Sequence, residues 1–385
     1  MTLERLRRTA PRRRSPVFPD GLPLVRPQVG DPARVASDVE AILASGVLTN
    51  GPYVRRFEDA TAEYLGVRHS IAVSSCTAGL MLVLRALDVV GDALLPSFTF
   101  SATAHAVTWN GLRPVWVDIE ADTLTLSVDA VERAIGVRTS LIVAVHVYGT
   151  PSRVEDLQAI ADHYGVRLVY DAAHAFGSAR RGMRIGVFGD AEVFSLSPTK
   201  VVVAAEGGLI TTNDDLLAER CRIGRDYGNP GDYDCRFVGL NARMSELHAA
   251  TALASLDGVD ERLAERNRLA GLYREIFRDV DGVSFPKVSR SDQSTFKDLT
   301  VLIDPDDFGL AADDVSVALA DEGVETRRYY SPPVHLQKAY GGVPSDVDLR
   351  VTTWASERVL SLPLWVGMTD HDVEGVVQAF RRIRP

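Results

Sequence analysis

Between residues 70 and 212, short β-branched apolar runs alternate with stretches of helical periodicity, and few folds accept that alternation. The strand-like runs are 70–73, 93–95, 114–118, 141–146 and 166–170, and the helical stretches are 78–87, 101–110, 128–135 and 153–164. This alternation predicts a mostly parallel central sheet with helices on both faces. Two further runs, 192–196 and 208–212, close the series. Upstream, 31–45 and 53–65 have helical spacing and are separated by the turn-rich Thr49-Asn50-Gly51-Pro52. Downstream, an irregular 228–239 precedes helix-rich 243–278. A different section starts near Asp281, with a strand at 300–303, a helix at 312–321, a Tyr/Pro-rich loop at 329–334 and a closing helix at 370–382. The expectation is an α/β protein with a large domain over 17–280 and a smaller C-terminal α+β domain over 281–385.

Charge and composition exclude several classes. A formal net charge of −10 argues against a general nucleic-acid binder. No apolar run approaches the ~20 residues needed to cross a bilayer, so no membrane partner is expected. Six of the first fourteen residues are Arg, with no hydrophobic segment after them, so 1–16 reads as a disordered basic arm and not a targeting signal. The three cysteines, Cys76, Cys221 and Cys235, have neither an even count nor metal-ligand spacing. A reducing cytoplasm and no metal site are expected.

Residues 190–212, DAEVFSLSPTKVVVAAEGGLITT, set one lysine, Lys200, among Val, Ala and Gly between two strands. Of the 42 lysines and arginines only four are lysine (Lys200, Lys287, Lys297, Lys338), so a lysine in that setting needs a reason. Arg cannot give up its proton, whereas a desolvated Lys becomes a neutral amine nucleophile. Lys200 is therefore a candidate Schiff-base lysine; a solvated strand-edge lysine is the other reading.

Ligands of open α/β sheets sit beyond the carboxyl ends of the strands, and three segments lie there. Ser74-Ser75-Cys76-Thr77-Ala78-Gly79 leaves a strand and opens a helix, where free amides and the Thr77 hydroxyl suit a phosphate; a plain helix cap is the alternative. Asp171 follows the apolar Leu168-Val169-Tyr170 at a strand's end, and a buried cation such as a protonated pyridine nitrogen would justify a carboxylate there. It could instead cap the next turn, with His174 a satisfied core histidine. Ser195 ends the strand before Lys200 and could bind the same phosphate. A phosphate, a pyridinium and an aldehyde for the lysine together describe pyridoxal 5'-phosphate (PLP).

The motifs LTNGPYVRRFE, SSCTAGL, LLPSFTFSATAHAV, VYDAAHAFGS, FSLSPTKVVVAAEGG, GLNARMSELHAA, VHLQKAY and LPLWVGM follow one another from about Leu24 to the C-terminus. In that order they resemble the DegT/DnrJ/EryC1/StrS family of PLP-dependent sugar aminotransferases, on the aspartate-aminotransferase-like fold type I. The resemblance implies that Lys200 carries the cofactor as a Schiff base and that Asp171 pairs with its pyridine nitrogen. It implies that Thr77, the backbone at Ala78 and Ser195 hold the phosphate, that Phe100 stacks on the ring, and that His174 lies near the phenolic oxygen. Asn241 matches a residue that reaches the neighbouring subunit's phosphate, which implies a homodimer with shared active sites. The family often has His three positions before the lysine; Ser197 stands there, leaving substrate contacts at that position open.

The implied reaction transfers an amino group from L-glutamate to a nucleotide-linked keto-deoxysugar, as in the deoxyaminosugar steps of antibiotic biosynthesis. NPGDYDCRF before GLNARMSELHAA looks most like members acting at C4 of a dTDP-4-keto-6-deoxyhexose. Amination at C3 of a 3-keto sugar or of a keto-cyclitol is the enzymatic alternative. A non-catalytic sensor retaining the fold is a reading of another class, and intact Lys200, Asp171 and Ser195 speak against it. In the 325–337 loop, Arg327, Arg328, Tyr329, Tyr330 and His335 are candidate substrate contacts, with a solvated basic loop as the alternative.

Overall fold

A computed structural model describes residues 15–341 and 348–385; all of the expected basic arm but Ser15 and Pro16 lies outside the described residues. The first two helices, α1 (Pro32–Ser45) and α2 (Pro52–Leu65), both begin with proline, whose fixed φ suits a first helical position where an N–H would have no partner. Asp31 caps α1 through the Ala33 amide. A distant carboxylate caps α2: Glu246 accepts from the amides of Gly51, Tyr53 and Val54 at 2.8–3.0 Å.

The alternation then unfolds as β1 (His69–Val73), α3 (Cys76–Leu87), β2 (Asp92–Pro96), α4 (Ser101–Trp109), β3 (Arg113–Val117), α5 (Val128–Ala134), β4 (Thr139–Val145), α6 (Val154–Tyr164) and β5 (Arg167–Asp171). A two-residue hairpin pair, β6 (Ala179–Arg180) and β7 (Met183–Arg184), precedes β8 (Ala191–Ser195) and β9 (Gly208–Thr212). Seven strands form one sheet in the order β1-β9-β8-β5-β4-β2-β3. Only β9 runs against its neighbours, β1 and β8; the other pairs are parallel. The sheet is therefore mostly parallel. Its central strands are buried along most of their length, which is why apolar residues dominate them.

After α7 (Asp215–Gly224), α8 (Glu246–Leu256) and α9 (Val259–Ile276) comes a second, antiparallel sheet. Its strands are β10 (Val283–Ser284), β12 (Leu299–Ile303) and β13 (Val359–Leu362), in the order β10-β12-β13. Between β10 and β12, β11 (Asp292–Gln293) joins β6 and β7 in a small ribbon, whose two-residue strands are too short to carry a sequence period. The remaining helices are α10 (Pro305–Phe308), α11 (Ala312–Asp321), α12 (Arg350–Arg358) and α13 (Asp370–Ile383). Among the described residues no helix is long and apolar enough to cross a membrane.

Helix α9 belongs to two cores. Val259 and Leu263 pack in the cluster under α2 and α8, while Leu269, Ala270 and Tyr273 pack with β12, β13 and α13. At its midpoint the buried Arg266 guanidinium donates to the carbonyls of Thr295, Phe296, Lys297 and Leu364.

The close seat of α3 on the sheet depends on glycine. A Cβ at Gly208 would lie 2.5 Å from the Cys76 nitrogen and the Ser75 carbonyl carbon, and one at Gly79 would lie 2.7 Å from Val193 Cγ1. The start of β9 thus runs directly against the first turn of α3. Gly208→Ala is expected to lower stability by about 1–3 kcal/mol through overpacking, measured as a fall in thermal midpoint. The control Gly271→Ala, whose added Cβ meets nothing within 4 Å, should leave the midpoint unchanged or higher.

Candidate active site

β1, β4, β5 and β8 end on one edge of the large sheet, and a cavity of about 300 Å³ lies over that edge. Asp171, the last residue of β5, is 4% exposed. Its Oδ2 accepts the Thr103 hydroxyl at 2.7 Å and its Oδ1 accepts the Ala173 amide at 3.1 Å. Burial pushes this carboxyl up, and the Thr103 and Ala173 hydrogen bonds oppose the rise. Thr103 on α4, which the sequence reading did not single out, is itself held by the Thr99 hydroxyl.

Beneath Asp171 lies a fully buried pair, His146 and Glu192, joined at 3.1 Å. His146 Nδ1 accepts the Ser152 amide, so the ring proton sits on Nε2 and is donated to Glu192. The other Glu192 oxygen accepts from the amides of Gly186 and Phe188. His146 also lines the cavity, and its ring stacks on Tyr170 at 4.8 Å, so this part of the wall is packed as well as bonded.

Lys200 sits on the loop between β8 and β9. Buried Val202, Val203 and Ala204 anchor that loop, with the Val203 amide on Ser255 Oγ and the Ala204 amide on the Leu196 carbonyl. The lysine is half-buried by surface, but its amine is enclosed by the cavity walls. Burial first, and the Lys297 ammonium second, lower its pKa from the ordinary 10.5 to about 8; Asp298, Cys76 and Asp171 pull the other way.

At the opposite end, Ser75 caps α3 by accepting the Ala78 amide at 3.1 Å. That amide is already engaged, so the Thr77 hydroxyl and the preceding first-turn amides are the groups left to a ligand. Thr77 and Ser195 both line the cavity, and Ser195 is linked to Ser197 through its hydroxyl at 3.3 Å. Phe100, 60% exposed at the N-terminus of α4, forms part of the cavity wall. No helix follows β5, yet His174 still reaches the same cavity as Asp171. Burial and then Lys200 hold His174 well below the usual histidine range, so the ring is neutral.

Two further wall residues, Lys297 and Asp298, escaped the sequence reading. Both are buried, with Lys297 Nζ 2.6 Å from Asp298 Oδ1 and Asp298 Oδ2 3.8 Å from His174 Nδ1. Burial would raise the Asp298 carboxyl, but the Lys297 ammonium first and Lys200 after it outweigh burial and hold it at about 2. The rarity of lysine that drew attention to Lys200 applied equally to Lys297.

The 325–337 loop divides. Tyr329 and Tyr330 line the cavity, and Tyr330 packs against Tyr148 and Phe98. Arg327 pairs with Glu325 at 2.9 Å and does not reach the cavity wall. Arg328 is engaged by the carbonyls of Ser356 and Val359 and by Asp313. His335 shares a 2.6 Å hydrogen bond with Ser97 Oγ and latches the loop to the end of β2. Asn241 is exposed, bridges to Asp226 and stands away from this chain's own cavity.

The donor set fits PLP. An enclosed lysine, a buried carboxylate whose hydrogen-bond donors are all neutral, and a helix start flanked by two hydroxyls answer an aldehyde, a pyridinium and a phosphate. Among the described residues no group of three or more His, Cys, Asp or Glu side chains is placed to hold a metal ion.

The profile of the DegT/DnrJ/EryC1/StrS aminotransferase family matches residues 31–381. The chain is 31% identical over 356 residues to the dTDP-4-amino-4,6-dideoxy-D-glucose transaminase of Escherichia coli, covering 91% of this chain and 96% of that protein. Among solved structures, DesI in the presence of its TDP-sugar product superposes with a TM-score of 0.91 at 40% identity, covering 95% of this chain and 94% of DesI. DesV of S. venezuelae, in complex with a ketimine intermediate, superposes with a TM-score of 0.86 at 31% identity, covering 93% and 98%.

The lowered pKa of Lys200 has a direct reading in the protein freed of ligand. A depressed lysine loses its proton earlier as pH rises, so its neutral amine predominates above about 8. Acylation of Lys200 by a small amine-reactive acyl donor, followed by peptide mass spectrometry, should be half-maximal near pH 8.

Proposed function

The chain belongs to the DegT/DnrJ/EryC1/StrS aminotransferase family, whose members are PLP-dependent sugar aminotransferases, and from that premise we propose that it moves the amino group of L-glutamate to C4 of a dTDP-4-keto-6-deoxyhexose. The observation that carries the proposal is one enclosed cavity holding the Lys200 amine near a pKa of about 8 beside the buried Asp171 carboxylate. The likeness to DesI with its TDP-sugar product, and to a transaminase named for a 4-amino-4,6-dideoxy sugar, supports the nucleotide and the C4 position.

Bound PLP supplies an aldehyde for Lys200 and a ring that spreads developing negative charge. Asp171 holds a proton on the ring nitrogen, since a cation there relieves the cost of its own burial. Thr77, Ser195 and the first-turn amides of α3 hold the phosphate, and Phe100 lies against the ring. Lys200 Nζ takes the proton from the α-carbon of glutamate and, in the second half of the cycle, delivers one to the sugar carbon that receives nitrogen. Its lowered pKa keeps a sizeable share of the amine neutral near physiological pH. Tyr329 and Tyr330 close one wall against water.

Asn241 has no task in its own chain's cavity, and we assign it to the phosphate of a second copy. The working unit is then a homodimer, each subunit pairing a large domain over 17–280 with a small one over 281–385.

Three spectra and one product analysis test the reading. PLP-loaded protein should absorb in the visible, lose that band with L-glutamate and regain it with the keto-sugar. A panel of 3-keto and 4-keto nucleotide sugars with NMR of the products should show amination at C4; a C3 product would replace the regiochemistry. A spectrum indifferent to every amino donor would replace the enzyme with a sensor. Lys200→Ala should cut turnover by about 10³-fold or more while the fold is kept.

Shared sites make a separate prediction. Asn241→Ala and Lys200→Ala chains, each inactive alone, should regain roughly a quarter of wild-type activity when mixed and reassociated, because half the dimers are mixed and each has one intact site. No recovery in proven mixed dimers would return Asn241 to a role within its own chain.

A further inference from the structure

Lys297 and Asp298 form a charged pair in the cavity wall whose polar capacity is not used up. Their backbone is fixed on both sides: the Lys297 amide donates to the Tyr148 carbonyl at 2.9 Å, and the Lys297 carbonyl accepts from Arg266. The pair is 7% and 6% exposed. Asp298 Oδ1 takes one N–H of Lys297 at 2.6 Å. Asp298 Oδ2 is buried and has no hydrogen-bond partner among the described residues; His174 Nδ1, at 3.8 Å, is too far away. Buried polar atoms are almost always satisfied, so an unpaired carboxylate oxygen in a ligand cavity marks where a ligand donor belongs. On the same side, the ammonium has N–H groups beyond the one given to Oδ1.

The chemistry of that unpaired oxygen narrows the ligand group. A phosphate or carboxylate has no hydrogen to give and would meet the Asp298 charge, which excludes the phosphate of the cofactor and both carboxylates of glutamate. A hydroxyl donates one hydrogen bond and accepts another, matching Oδ2 and the Lys297 ammonium together. The pair shares the cavity with the Lys200 amine and acts on it electrostatically, so it lies at the reacting end of the sugar and not at the nucleotide. In a 4-keto-6-deoxyhexose the carbons beside the ketone are C3, which bears a hydroxyl, and C5, which bears the methyl carbon. We infer that Lys297 and Asp298 are a specificity-determining subsite for the 3-hydroxyl of the acceptor sugar, an assignment that rests on the sugar aminotransferase reading.

The experiment compares the 4-keto substrate with its 3-deoxy analogue on the PLP-loaded enzyme. A site built to hydrogen-bond a hydroxyl rejects the analogue lacking it, so wild type should prefer the hydroxylated substrate by about 10²-fold or more in kcat/KM. Asp298→Asn and, separately, Lys297→Gln should each shrink that ratio by about tenfold or more. Changes in Lys200 affect both substrates alike, so the ratio isolates the hydroxyl. Calorimetry supplies a readout that needs no turnover: the aminated product should bind wild type more tightly than its 3-deoxy counterpart, and the variants should bind the two alike. A wild-type enzyme that handles both substrates equally, or variants that keep the full ratio, would overturn the subsite alone. Bleaching by glutamate with no amination of any nucleotide keto-sugar would remove the function reading and the subsite with it. Should a variant fail to fold, the wild-type ratio and the product affinities still decide.

Discussion

Burying Asp171 at the carboxyl end of β5 carries a desolvation cost that the Thr103 hydroxyl and the Ala173 amide offset only in part. Both donors are neutral, so the position keeps an appetite for positive charge. Much of the surrounding structure serves to hold it there. The His146–Glu192 pair below is itself fully satisfied and presents no competing cation, because His146 accepts on one nitrogen and donates from the other. The same enclosure acts on Lys200 in the opposite sense, lowering the pKa of a base while it raises that of an acid. One low-dielectric cavity thus favours a neutral amine at Lys200, the form that takes a proton, and makes the Asp171 carboxylate favour a cation beside it.

How far this was legible in the sequence depended on how local each signal was. Asp171 and Ser195 end largely apolar strands, and Lys200 stands in a Val- and Ala-rich loop after one of them, where a polar residue asks for an explanation. The alternation that placed those strands holds in the structure, including the antiparallel β9 beyond Lys200. Other parts were written only in long-range contacts. Thr103 reaches Asp171 from α4, 68 residues away, and Glu246 caps a helix 190 or more residues upstream. Lys297 and Asp298 stand just before a strand of the second sheet and meet Lys200 only because that sheet docks against the first. The loop 325–337 misled in the opposite way. Its arginines and His335 look free in sequence but are occupied by Glu325, Asp313 and Ser97, which leaves the tyrosines at the cavity.

Side-chain chemistry alone does not bring these groups within reach of one another; close backbone approach does. At Gly208 and Gly79 the absence of a Cβ lets the first turn of α3 rest on β8 and β9. The helix start is thereby brought to the same edge as Asp171 and Ser195, so a phosphate and a ring can be held by neighbouring strand ends.

The double membership of α9 also bears on how a relative of this protein could be assembled from parts. Its first turns belong to the core below α2 and α8, its last turns to the core of β12 and β13, and Arg266 between them grips the segment that presents Lys297. A chimera joined near Asp281 would import β12 and α13 while leaving behind Tyr273 and Phe277, which fill the space beside Phe380. A join ahead of Val259 would instead strip Leu263 from the other core. The C-terminal section is therefore not a detachable cassette, and acceptor preference in such a scaffold changes more readily by substitution at the cavity wall than by exchange of whole modules.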